Sequence, residues 1–227
     1  MTFRSASTPI HGDLNTGITA NQPSGYQAGD ILLAFFTSDV SGGIAVHGNV
    51  TFTGWTFIEE AFGGTDGENV YVFGRIATGS DNFAASTTDT SAQTTIVVGA
   101  WSGRTQAIPT NFQKSQVDAN ASSPVSVSLT GVTAATGDDI AVWVGLDQTA
   151  AADTWGFSAI SGYTEQVDYA SGDWDSDSLQ TRDNVSSGAT GSLATTATIL
   201  TGAGQTAWLG IVIALSSGSG NLAWITA

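Results

Sequence analysis

Short apolar runs, several of them alternating with polar residues, recur along this chain and predict β-strands. Residues 125–129 read Val-Ser-Val-Ser-Leu, which is the alternation of a strand with one buried face. Residues 30–38 form a nearly continuous apolar run that predicts a buried strand. The turn at 63–68 lies between two such runs and indicates a β-hairpin. No stretch shows the apolar spacing and end caps of an amphipathic helix, so we expect an all-β protein.

The runs and the turns between them occur twice in the same order. Gly137-Asp138 opens an apolar run 108 residues after Gly29-Asp30 opens one, and Gly162-Tyr163-Thr164 follows Gly54-Trp55-Thr56 at the same spacing. Later motifs recur at spacings of 112 and 114 residues, as loop insertions would produce. Internal repetition of this kind is a primary sequence indication of the architecture of a protein. It predicts an antiparallel β-sandwich or jelly-roll-like fold built from two related internal repeats.

The repeat also divides the chain into segments. We expect an N-terminal arm at 1–27, a first β unit at 28–103, a connector at 104–123, a second β unit at 124–217 and an apolar C-terminal tail at 218–227. The two units are either the two sheets of one sandwich or two small sandwiches in tandem. We favour two packed units, because a copy of about 110 residues is long enough to have its own core.

The charge of the chain excludes two classes of partner. There are 20 acidic residues against 5 basic ones, which gives a net charge of −15. The basic residues are scattered, whereas nucleic-acid binding needs a basic patch. An anionic membrane surface would repel the chain for the same reason. We therefore expect neither a nucleic-acid nor a membrane partner.

Three further features bear on where the protein is made. Cysteine is absent, so neither disulfides nor thiolate chemistry is available. The N-terminus lacks the apolar core of a signal peptide. No run approaches the roughly 18 apolar residues of a transmembrane helix. We expect synthesis and folding in a cytoplasm.

Residues suited to catalysis are few. His11 in the predicted arm and His47 in a Gly-rich loop are expected to be exposed loop residues, and no serine lies in a nucleophile-elbow motif. Glu59 and Glu60 lie on opposite faces at a strand end. They are the candidate residues for glycoside hydrolysis, which needs two carboxyls that face each other. We expect a protein that is not an enzyme.

An acidic cluster is the sharper candidate for a site. Asp173, Asp175 and Asp177 alternate with other residues, as carboxylates do in the first half of a calcium loop. Ser178 stands where such a loop has glycine, and the glutamate at its end is missing. The alternatives are the acidic tip of a hairpin and a site for a hard cation, with calcium as the candidate ion. No other cofactor is expected.

Aromatic residues supply candidates for partner contact. Four of the seven tryptophans lie in strand patterns and are expected in the core: Trp55, Trp101, Trp143 and Trp208. The candidates for partner contact lie in loops or in the tail: Trp155, Trp174, Leu222, Trp224 and Ile225. Core packing is the alternative for Trp155. The tail candidates follow a Ser/Gly spacer, and such a segment can dock on a neighbouring subunit.

The first unit carries three motifs in an order typical of a known class of proteins: Gly29–Phe35, Gly54-Trp55-Thr56 and the run 70–80, which reads Val-Tyr-Val-Phe-Gly-Arg-Ile-Ala-Thr-Gly-Ser. This string resembles β-sandwich structural proteins of tailed bacteriophages, which are minor structural, fibre-associated or head-decoration proteins. The resemblance covers mainly residues 28–102. A weaker echo at 136–216 departs from it where Tyr163 replaces tryptophan and Arg182-Asp183-Asn184 interrupts the run. It implies no catalytic residues.

The resemblance and the residues together lead to one leading expectation. We expect a non-enzymatic virion structural protein, and first of all a capsid decoration (cement) protein that stabilises or coats the head. Its partners would be the major capsid protein or other virion subunits in a multi-copy or homo-oligomeric assembly. The alternatives are a tail, fibre or spike component and a carbohydrate-binding adhesin module with a glycan ligand.

Overall fold

The computed structural model describes residues 2–40, 49–62, 68–88, 92–103, 108–148, 153–170, 175–202 and 205–216. Within these ranges the chain forms nineteen β-strands and one short 3₁₀ helix, Leu14–Thr16. None of the described residues belongs to a helix that is long and apolar enough to cross a membrane.

The strands divide between the two halves of the chain. The first half contains β1 (Thr2–Ala6), β2 (Ile10–Asp13), β3 (Ile18–Thr19), β4 (Ile31–Val40), β5 (Val50–Phe52), β6 (Thr56–Phe62), β7 (Glu68–Ile76), β8 (Ala84–Thr87) and β9 (Ala92–Ser102). The second half contains β10 (Asn111–Ser122), β11 (Val125–Leu129), β12 (Thr133–Ala134), β13 (Asp139–Gln148), β14 (Thr154–Phe157), β15 (Thr164–Ala170), β16 (Asp175–Arg182), β17 (Gly188–Ala189), β18 (Leu193–Thr201) and β19 (Gln205–Leu215).

Each half forms an antiparallel sandwich of one large and one small sheet. The first large sheet has the order β1-β9-β4-β7-β6, with β2 also paired to β9, and the second has the order β10-β19-β13-β16-β15. The small sheets are β3-β8-β5 and β11-β18-β14, and β12 and β17 form a separate pair. A buried apolar core lies inside each sandwich. The predicted all-β, antiparallel sandwich fold is therefore confirmed.

The turns that open the two central strands are built alike. Gly29 and Gly137 have positive φ angles of 90° and 87°, which glycine adopts without steric cost. Asp30 and Asp138 each accept a hydrogen bond at 2.8 Å from the backbone N–H three residues earlier. The Gly-Asp motif thus fixes the start of β4 and of β13 by the same contacts.

Two of the predicted segments are wrong. Strands β1 and β2, which fall in the predicted arm at 1–27, pair with β9 in the first large sheet. Strand β10, which falls in the predicted connector at 104–123, pairs with β19 as an edge strand of the second large sheet. Edge strands expose more polar side chains than central strands do. The composition of these three edge strands therefore resembles that of a loop. The predicted tail at 218–227 lies outside the described residues.

The two large sheets pack face to face and bury a third core between the sandwiches. Phe35 on β4 and Trp143 on β13, which are 108 residues apart in the chain, stack on each other with ring centroids 5.5 Å apart and planes at 23°. The strands at the centre of each large sheet are consequently covered on both faces, which explains their continuous apolar runs. Further residues of this interface core are Ile31, Leu33, Val70, Val72, Val97, Trp101, Leu179, Leu209, Ile211 and Ile213.

Candidate functional site

One part of the interface between the sandwiches is polar although it is buried. The first sandwich contributes Thr37 on β4 and Thr95 on β9, and the second contributes Asp175 and Asp177 on β16, all at most 2% exposed. The side chain of His11 on β2, which is 13% exposed, completes the set. We call these five residues the interface polar cluster.

The alternation of strand residues carries the two aspartates into this interface. Side chains two residues apart in a strand lie on the same face. Leu179 on β16 belongs to the apolar interface core, so Asp177 and Asp175 share its face. In the same way Thr37 follows Phe35 on the interface face of β4. The strand alternation that buries Leu179 therefore also buries the carboxyls of Asp177 and Asp175, which lie two and four residues before it.

Asp175 is the best-connected member of the cluster. The hydroxyl of Thr95 donates a short hydrogen bond to its carboxylate. His11 Nδ1 lies 3.4 Å from Asp175 Oδ1 and 3.1 Å from Thr95 Oγ1. These contacts join two strands of the first sandwich to one strand of the second.

Asp177 is the more enclosed of the two aspartates. Burial raises its pKa well above the usual range of an aspartate, and the neighbouring charge of Asp175 raises it further. The hydroxyls of Thr37 and Thr95 are close enough to lower the pKa in part, but neither Asp177 oxygen has a hydrogen bond of regular geometry. Because a buried carboxyl without a cationic partner favours its neutral form, Asp177 holds its proton at pH values where exposed aspartates are ionised.

A hydrogen bond of the interface core adjoins this group. Trp143 Nε1 donates to Thr37 Oγ1 at 3.0 Å. Thr37 is therefore engaged by the second sandwich on one side while it faces Asp177 on the other. The polar cluster and the aromatic stack of the interface are thus continuous.

The structure changes the meaning of the predicted acidic site. Asp173 lies outside the described residues. Asp175 and Asp177 are not in an exposed hairpin tip, because strand β16 already begins at Asp175 and its inward face is covered by the first sandwich. Among the described residues, no three His, Asp or Glu side chains are arranged to hold a metal ion. The calcium site stays a prediction that depends on Asp173.

Trp155 lies in the core and not at a partner contact. It is fully buried on β14 in the core of the second sandwich, and its backbone N–H donates to Ser176 Oγ at 3.2 Å. The four tryptophans predicted in the core are all buried there, which confirms that prediction. The other candidates for partner contact, Trp174, Leu222, Trp224 and Ile225, lie outside the described residues.

The remaining residues considered for chemistry have structural partners. His11 is not an exposed loop residue, since it pairs with Thr95 in the β2–β9 ladder; His47 lies outside the described residues. Glu59 Oε1 lies 3.4 Å from the Nζ of Lys114 on β10, and the same ammonium donates to the backbone oxygen of Glu60 at 3.0 Å. These contacts join the outer strands of the two large sheets.

No family model matches the chain, and no curated protein or solved structure shows significant similarity to it. By its fold the chain belongs to the class of proteins in which two antiparallel β-sandwiches pack through their large sheets.

Proposed function

We propose that this chain is a non-enzymatic structural protein of a bacteriophage virion, and specifically a capsid decoration protein that coats or stabilises the head. The observation that carries the proposal is the apolar core shared by the two large sheets. The four β layers stack into one rigid body, so its two outer surfaces stay at a fixed distance from each other. A subunit that bridges its neighbours in a shell requires such a fixed distance. The resemblance at residues 28–102 supplies the class of protein.

The surface of the described residues favours docking through a short segment. Leu200, which is 64% exposed, is the one large hydrophobic residue that stands out on it. A contiguous exposed apolar patch is the usual mark of a broad docking face. We therefore place the capsid contact in the segment 218–227, through Leu222, Trp224 and Ile225. A short apolar segment can dock on a neighbour by adding a strand to its sheet.

The net charge of −15 is consistent with such a role. Charge of one sign keeps free subunits soluble before assembly. A tail, fibre or spike component would use the same properties, so the location in the particle distinguishes the head proposal from that alternative.

Quantitative mass spectrometry of purified virions tests the proposal. We expect the chain in a fixed ratio to the major capsid protein, and in the head fraction when heads and tails are separated. Its absence from virions would overturn the proposed function, and its presence in tails alone would establish the tail alternative instead.

A variant with Leu222, Trp224 and Ile225 all replaced by serine tests the docking segment. Its incorporation should fall about tenfold or more, because loss of anchoring side chains costs at least about 2 kcal/mol. The control variant Leu200→Ser should be incorporated normally. Equal incorporation of both variants would contradict the placement of the contact and leave the virion assignment standing.

A further inference from the structure

The strands at the edges of the sheets differ in how well they are protected against pairing with another chain. An edge strand presents unpaired backbone groups, and proteins protect such strands with bulges, charged side chains or short length. The outermost strands of the two large sheets each carry a shift in register and at least one charged residue. These strands are β1 with Arg4, β6 with Glu59 and Glu60, β10 with Lys114, and β15 with Glu165 and Asp168.

Most edge strands of the small sheets are protected by their length. Strands β3 and β5 contain two and three residues. Strand β14 contains four residues, and its register shifts between Thr154 and Trp155. Such strands offer few regularly spaced backbone groups to a neighbour.

Among the described edge strands, β11 alone has none of these protections. Its five residues, Val125–Leu129, pair with β18 in one unbroken register, and β18 is the one described strand that β11 pairs with. Its sequence, Val-Ser-Val-Ser-Leu, contains neither a charged residue nor proline. Within the described part of the chain, the edge of β11 that faces away from β18 is therefore the best acceptor for an added strand.

The side chains of β11 define what the added strand must look like. Val125, Val127 and Leu129 are buried in the core of the second sandwich, and the two serines between them are exposed. A strand that extends this sheet must likewise alternate between apolar residues on the core side and polar residues on the outer side. The sequence of β11 itself meets this requirement, so a second copy of the chain is a suitable partner.

Charge also favours β11 as the place where two copies meet. Each copy has a net charge of −15, so two copies repel each other. The small sheet of β11, β18 and β14 contains no charged residue. Pairing through β6 or β15 would instead bring the carboxyls of two copies together, which is unfavourable.

We propose that β11 is a self-association edge, at which the β11 strands of two copies pair antiparallel and join their small sheets into one continuous sheet. Pairing centred on Val127 sets Val125 opposite Leu129 of the partner subunit, and Ser126 opposite Ser128 of the partner subunit. Apolar residues then face apolar residues on the core side, and serines face serines on the outer side. The contact is isologous, because the same edge is used by both copies.

The contact between two such edges is small. A strand of five residues is about 17 Å long, so its pairing buries much less than the roughly 800 Å² per partner of a standard interface. We therefore expect a dimer that dissociates on dilution and forms where copies are held close together. The surface of a particle would provide that proximity if the proposed function holds, but the pairing itself does not depend on it.

Sedimentation equilibrium of the full chain, from about 10 μM to about 1 mM, tests the association. We expect the average mass to rise with concentration from one chain toward two, and to rise further at higher salt, because screening weakens the repulsion between the copies. A mass of one chain at every concentration would overturn the proposal. The virion assignment would be unaffected, since the composition of purified virions tests it separately.

Two double variants test the register. Ser126→Glu combined with Ser128→Glu sets like charges opposite each other across the proposed pairing and should weaken association about tenfold or more. Ser126→Lys combined with Ser128→Glu sets opposite charges at the same positions and should associate at least as well as the unmodified protein. Equal weakening by both variants would overturn the proposed pairing.

The matched control adds the same charge to the same face on the central strand. Ala194 and Thr196 on β18 lie opposite Ser128 and Ser126 in the register. Ala194→Glu combined with Thr196→Glu should change association by no more than about threefold, because both positions lie one strand further from the paired edge. Weakening as large as that of the β11 variant would mean that the outer faces stack, and would overturn pairing through the edge.

A further measurement needs no variant and covers the case in which a substitution prevents folding. Strand pairing engages backbone N–H groups of β11 that are otherwise free to exchange. Amide exchange in Val125–Leu129 should therefore slow as the protein concentration rises, whereas exchange in β14 should stay the same. Exchange in β11 that does not change with concentration, in a sample whose average mass rises, would overturn the proposal.

Discussion

At the scale of single residues, the centre of the interface is formed by positions that correspond in the two halves. Thr37 and Gly145 are 108 residues apart and approach each other across it. Phe35 and Trp143 have the same separation in the chain and stack there. At one pair of matching positions glycine leaves room for Thr37, and at the other pair two aromatic rings stack.

The substitution Gly145→Ala tests this complementarity. The new Cβ would lie 2.6 Å from Thr37 Oγ1 and 2.7 Å from Val70 Cγ1, so the two sheets would have to shift. We expect the free energy of unfolding to fall by about 1–3 kcal/mol, as overpacked cores show. Urea denaturation followed by circular dichroism measures it.

Gly12→Ala is the matched control for that substitution. A Cβ at Gly12 would lie 3.7 Å from Ile18, an ordinary contact, so the change should stay within about 0.5 kcal/mol. Equal effects of the two substitutions would show that the sheets do not approach as closely as the structure indicates.

The candidate site could be predicted from the sequence only in part. The alternating acidic residues that include Asp175 and Asp177 stand out in the sequence, and their residue type marks them as a candidate site. Their burial does not follow from the local pattern, because the residues that contact Asp175 from the first sandwich, Thr95 and His11, lie 80 and 164 positions away in the chain. The same reason hid His11, whose partners lie on β9 and β16.

At the scale of strands, the local sequence identifies the central strands but not the edge strands. Strands β4 and β13 are apolar on both faces, so the sequence predicts them directly. Strands β1 and β10 carry exposed residues, β2 is only partly buried, and all three occur in segments with loop-like composition. Only pairing with β9 or β19 makes them strands, and that pairing is not visible in a local pattern.

The substitution Phe3→Ala tests whether β1 is an integral strand or a loose arm. Phe3 packs against Trp101 with ring centroids 5.1 Å apart. Because Phe3 is only partly buried, its loss should cost about 2 kcal/mol, less than the truncation of a fully buried phenylalanine. Thermal unfolding of the full chain provides the measurement.

Thr2→Ala is the control at the neighbouring position. Thr2 is exposed on β1, and its truncation should change stability by about 0.5 kcal/mol or less. A loose arm would instead make Phe3→Ala as neutral as Thr2→Ala.

At the scale of the whole molecule, three cores are stacked in one direction and the middle one belongs to both sandwiches. Unfolding of one sandwich would expose the interface face of the other, including the Phe35–Trp143 stack. We therefore expect a single calorimetric transition with matching calorimetric and van't Hoff enthalpies. Two separate transitions would contradict this coupling.

A double-mutant cycle on Phe35→Leu and Trp143→Leu measures the coupling directly. The stacked pair should show an interaction energy of about 0.5–1.5 kcal/mol, because each variant already removes the contact that the other would lose. Phe35→Leu combined with Trp155→Leu is the matched cycle, since Trp155 belongs to the separate core of the second sandwich; these effects should add within about 0.5 kcal/mol. Additivity in both cycles would mean that the sandwiches only touch, and a rigid four-layer body could then no longer support the structural role.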